Sequence, residues 1–89
     1  MAVADVMREK LQAAFTPVEL EVRDDSEKHR GHGGWREGGE THFHVRIVSP
    51  AFNGMSRVAR SRAVHAALKD ELDGGVHALG LELHGTEKN

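Results

Sequence analysis

Two stretches of strict alternation, separated by a run with no period, do most to limit what this chain can fold into. Val18, Leu20 and Val22 alternate with Glu19, Glu21 and Arg23, and Phe43, Val45 and Ile47 alternate with His42, His44 and Arg46. Period two marks a strand with one face buried and the other in water. Between the two lies EKHRGHGGWREGG, residues 27–39, which carries five of the chain's ten glycines and no apolar rhythm. The pair reads as an antiparallel hairpin with a flexible loop at about 26–39. Hairpin connections are usually two to five residues, and loops far longer than that tend to carry function.

Helical patterns flank the hairpin. Val3, Met7, Leu11 and Phe15 recur every four residues, one apolar stripe, and Pro17 stops the helix by pushing its predecessor out of the α region. After Pro50 a short irregular piece around Phe52 and Gly54 leads to Ser56, a side chain suited to capping the helix that follows. Val58, Ala63, Val64, Ala67, Leu68 and Leu72 supply that helix with a stripe, and Asp73-Gly74-Gly75 ends it. Val76 to Leu83 is the third strand, with Leu79, Leu81 and Leu83 in phase, and residues 85–89 form a frayed tail.

The order is α-β-β-α-β. Two strands joined by a helix pair in parallel, so an α+β fold is expected, a three-stranded mixed sheet with helices on one face. Glu19, Glu21, His42, His44, Arg46 and Glu82 would line the other, solvated face. At 89 residues this is a single domain over 1–89. A domain of this size buries only about 60–65% of its unfolded surface, which favours a surface site over an enclosed one.

Connectivity brings histidines together. The crossover helix returns the chain to the loop end of the hairpin, so His77, at the start of the third strand, is expected near the loop residues His29 and His32. Neutral imidazole is a common ligand for zinc, copper and iron, and this trio is the candidate metal site. The alternative is that His29 and His32 are solvated and His77 is a strand-end residue with a backbone partner. His42 and His44 read as surface residues beside Arg46. The chain has no cysteine, so it can offer neither a thiolate ligand nor a thiolate nucleophile. It has no apolar run long enough to span a membrane, and Met1 to Phe15 lacks a signal-peptide layout. The expectation is a cytoplasmic protein with no membrane association.

Several blocks resemble the BolA family: Phe15-Thr16-Pro17 with Leu20-Glu21-Val22; Asp24-Asp25-Ser26 with His29; Gly39-Glu40-Thr41-His42-Phe43; Ile47-Val48-Ser49 with Phe52 and Gly54; Ser56-Arg57-Val58 with Arg60 and Arg62; and Val76-His77-Ala78-Leu79. The resemblance spans about Met7 to Leu83. It implies a fold similar to a type II KH domain and an adaptor that pairs with a monothiol glutaredoxin, the two sharing a bridging 2Fe–2S cluster in iron–sulfur trafficking or iron sensing. It also implies that His77 and a loop histidine, His29 or His32, are this chain's ligands. The partner's cysteine and its glutathione would complete the set, with no cluster held tightly by this chain alone. Two histidines on one iron are a workable ligand set, and protonated imidazole cannot ligate, so such a cluster is acid-sensitive. Where the family often has Arg-His-Arg, this chain has Arg60-Ser61-Arg62. The chain alone is expected as a monomer, with a metal-bridged homodimer as the alternative.

A second reading is a DNA-binding regulator. Arg57, Arg60 and Arg62 gather at the start of the second long helix, where phosphate is readily bound. Only Gly54 stands where a KH domain carries its Gly-x-x-Gly turn. Formal charge is −2, which argues against a general grip on nucleic acid. Trp35, in the loop, is a candidate partner-binding residue. No triad with a supporting elbow and no phosphate-cradling loop is present, so an enzyme is not expected.

Overall fold

The computed structural model describes residues 2–26 and 41–87. Its elements are α1 (Val3–Phe15), β1 (Glu19–Asp24), β2 (His42–Val48), a single 3-10 turn (Pro50–Phe52), α2 (Arg57–Ala67), α3 (Lys69–Gly74) and β3 (Ala78–His84). The sheet order is β1-β2-β3. β1 runs antiparallel to β2, from Glu19↔Val48 to Asp24↔Phe43, and β3 runs parallel to β2, from His42↔Ala78 to Val48↔His84. The α+β architecture and element order expected from the periodicities are those observed.

The core forms where the apolar phases meet. Met7 and Leu11 of α1, Val64 of α2 and Leu68 pack with Val22, Phe43, Val45, Ile47, Phe52 and Val76. Phe15 stacks obliquely on Phe52, ring centroids 4.9 Å apart. At about 25 cal/mol per Å2 of apolar surface removed from water, these side chains are the main source of stability. Lys10 ties α1 to α3 through both carboxylate oxygens of Glu71, at 3.0 and 2.8 Å.

Local chemistry sets the element ends. Ahead of Pro17, Thr16 takes a left-handed conformation (φ 42°) and its N–H donates to the Gln12 carbonyl. The Ser56 hydroxyl accepts the Ala59 N–H, the expected N-cap. The second helical stretch is not continuous, however. It breaks at Leu68 (φ −106°, ψ 18°), and α3 continues from there to Gly75, whose φ of 152° favours glycine.

Three apolar assignments change. Val18 precedes β1 and is 66% exposed, although its N–H still extends the ladder to the Val48 carbonyl. Val58, in the first turn of α2, is 57% exposed. Val76 is buried but lies outside β3, which starts at Ala78.

Candidate functional site

Ser26 and Thr41 are the described residues on either side of 27–40, and both are buried. The Ser26 hydroxyl accepts two backbone N–H groups, from Thr41 at 3.0 Å and His42 at 3.2 Å. Thr41 Oγ1 lies 3.4 Å from the same oxygen. Ser26 is itself held by its own N–H, which donates to Asp24 Oδ1 at 2.9 Å. The Asp25 N–H reaches the His42 carbonyl at 2.8 Å. One buried hydroxyl therefore clamps the two ends of the intervening segment together.

His77 attaches to this clamp. Its N–H donates to the Thr41 carbonyl at 2.6 Å, and the next N–H, that of Ala78, donates to the same oxygen at 3.1 Å. The backbone of His77 is fixed to the clamp while its side chain is exposed. The crossover thus brings His77 to the loop end of the sheet, as connectivity requires. His29, His32 and Trp35 lie outside the described residues.

His42 corrects the sequence reading. It was expected on the solvated face, yet it is only 4% exposed. Its Nδ1 lies 2.8 Å from Thr41 Oγ1, and its ring sits 5.4 Å from that of His77, inclined at 58°. Alternation assigns a residue to a face but does not say whether that face is covered at that point. At the very start of β2 it is covered. The Thr-His pair at 41–42, directly after the glycine-rich run, was the available signal.

Farther along the same face the sequence reading holds. His44 Nε2 is 3.7 Å from Glu82, and Arg46 lies 3.1 Å from Glu19 and 3.8 Å from Glu82. Gly80, opposite His44, makes room for that imidazole: a Cβ there would stand 3.1 Å from its Nδ1. Arg23 grips both Asp25 oxygens at 2.7 and 3.1 Å, and this hydrogen bonding raises its already high pKa.

The arginines of α2 divide. Arg60 is structural, its guanidinium donating to the carbonyls of Met55 and Leu83, both at 3.1 Å. Arg57 and Arg62 are exposed and form no hydrogen bond or ion pair among the described residues. A groove of about 630 Å3 runs between this helix start and β3, and the imidazole of His84 is the one ring among its lining residues.

Among the described residues no cluster of three or more histidine, aspartate or glutamate side chains could hold a metal ion. At the Ser26 end His77 offers an exposed imidazole on a hydrogen-bonded backbone, by itself an incomplete ligand set. No helix of the described residues is long and apolar enough to cross a membrane.

Comparison with known proteins now bears on the site. The family model described as BolA-like protein matches residues 11–88. A Sinorhizobium sequence, named only as an uncharacterized protein in the cobS 5′ region, is 52% identical over 83 residues, covering 92% of this chain and 89% of its own. The SufE-like protein 1, chloroplastic/mitochondrial, of Arabidopsis thaliana is 51% identical over 79 residues; these cover 84% of this chain but only 21% of that longer protein. The solved structure of BolA1 from Arabidopsis thaliana superposes with a TM-score of 0.87 at 42% identity, covering 100% of this chain and 98% of that one.

Proposed function

Because this chain belongs to the BolA-like family, we propose that it is an adaptor, and not an enzyme, that binds a monothiol glutaredoxin and shares a bridging 2Fe–2S cluster with it. His77 and one of the loop histidines, His29 or His32, supply this chain's nitrogens. The observation that carries this reading is the placement of His77: an exposed imidazole on a backbone hydrogen-bonded to Thr41, at the edge of the segment that contains His29 and His32.

The chemistry follows from the donor set. With no thiolate of its own, the chain offers two histidines toward the four terminal ligands that a 2Fe–2S cluster needs. A private cluster is disfavoured and a shared one favoured, the missing ligands coming from the partner's cysteine and glutathione. Iron–sulfur trafficking or sensing is the setting this arrangement suits. One relative joins a SufE-like region to the matching segment in a single chain, which supports that setting. A cytoplasmic location goes with the reading, although that relative is named for chloroplast and mitochondrion. The groove beside Arg57 and Arg60 offers only the His84 ring for base stacking, and the formal charge is −2, so the cluster-sharing reading is preferred to a DNA-binding one.

The test is a titration of this protein into a glutaredoxin-bound 2Fe–2S cluster, followed by visible circular dichroism. A new spectrum is expected with the native sequence, lost in His77→Ala and in one of His29→Ala or His32→Ala. An unchanged spectrum with the native sequence would refute the shared cluster.

A further inference from the structure

β3 is an edge strand, with β2 on one side only. Its hydrogen bonds reveal which residues face outward. The Ala78 N–H donates to β2's neighbour Thr41, and the His84 carbonyl accepts from Ser49, so the even-numbered residues bond inward. In a parallel pair the bonded residues alternate. The odd-numbered ones therefore turn outward, as the Leu83 carbonyl does in accepting from Arg60. The N–H groups of Leu81 and Leu83 and the Leu81 carbonyl face away from the sheet. Among the described residues, that edge has no other strand beside it.

This open edge forms one wall of the groove; the start of α2 forms the other. Met55, Leu81 and Leu83 give it an aliphatic component, and Arg57, Arg60 and Ser61 a cationic and polar rim. Glu82 also borders the groove but sits within ion-pairing distance of Arg46 and His44. The first turn of α2 holds no acidic residue. Arg57 thus stands uncompensated beside the outward N–H groups of Leu81 and Leu83.

We propose that this groove takes up a short extended acidic peptide as a fourth strand on β3. The outward backbone groups of Leu81 and Leu83 supply the ladder, as in other strand additions. Arg57, on the groove's rim, selects for acidic side chains. A nucleic-acid strand fits less well, since it would leave the backbone ladder unused and find only the His84 ring to stack on. The site is separate from His77, so it stands or falls independently of the cluster.

The experiment is an NMR titration of the 15N-labelled full chain with a ten-residue peptide of alternating valine and glutamate at low salt. A valine–lysine peptide of the same pattern, a valine–glutamate peptide N-methylated at every second residue, and a ten-nucleotide oligothymidylate serve as comparisons. The Leu81 and Leu83 amides are expected to shift and to exchange more slowly with solvent as the acidic peptide binds. The variant Arg57→Glu, at an exposed and unpaired position, should weaken that binding about fivefold with an unchanged far-ultraviolet spectrum. Equal binding of the lysine peptide, or full binding of the N-methylated one, would overturn the proposal. So would oligothymidylate binding more tightly than the acidic peptide, or no change at Leu81 and Leu83.

Discussion

The two ends of β2 are each closed by a buried serine, and they are built for different purposes. At the far end Ser49, fully buried, donates its hydroxyl to the Phe15 carbonyl at the end of α1 and accepts the Ala51 N–H that starts the 3-10 turn. Around it Phe15 packs on Phe52, and the Asn53 side chain accepts N–H groups from Thr86 and Glu87. Helix, turn and C-terminal segment are locked there against an apolar base. At the near end Ser26, 1% exposed, gathers two backbone N–H groups and holds together the ends of a long segment. Each end exposes an imidazole, His77 here and His84 at the far end, but only this end adjoins the segment that carries His29 and His32. Similar hydroxyl chemistry thus stabilises the domain at one end and organises a site at the other.

Substitutions can break or sharpen that contrast. The largest expected effect is at the far end: Phe52→Ala empties a fully buried aromatic site and should cost about 3–5 kcal/mol in urea unfolding. That is a large part of the total stability of a domain this small. Ser26→Ala should cost less, about 1–3 kcal/mol, by leaving two buried N–H groups without an acceptor. It should also weaken cluster sharing, which a mere surface change would not do. His77→Ala, at an exposed position, should shift stability by no more than about 0.5 kcal/mol while abolishing cluster sharing. If His77→Ala unfolded the domain, the division between a locking end and a site-bearing end would fail.

Much of this was legible because burial here follows period. Phe43, Val45 and Ile47 show which face of β2 is inside, and Met7 and Leu11 do the same for α1. Connectivity then places His77 at the loop end of the sheet with no knowledge of side-chain contacts. What escaped depends on where a surface stops. Val18 and Val58 are in phase with their neighbours but lie at the starts of their elements and stay exposed. His42 errs in the opposite direction, on the solvated parity yet covered at the strand's start. The break at Leu68 has no glycine or proline to announce it. The Ser26 clamp was also hidden, because it joins residues on opposite sides of the segment that the period cannot describe.

The measurement that tests the central claim most directly is electron–nuclear double resonance on the one-electron-reduced 2Fe–2S cluster of the complex with glutaredoxin, with only this chain's histidines labelled with 15N. The account predicts two strongly coupled 15N nuclei in the native complex, with the signal of one removed by His77→Ala. A spectrum without strongly coupled 15N, or one that His77→Ala leaves unchanged, would contradict it.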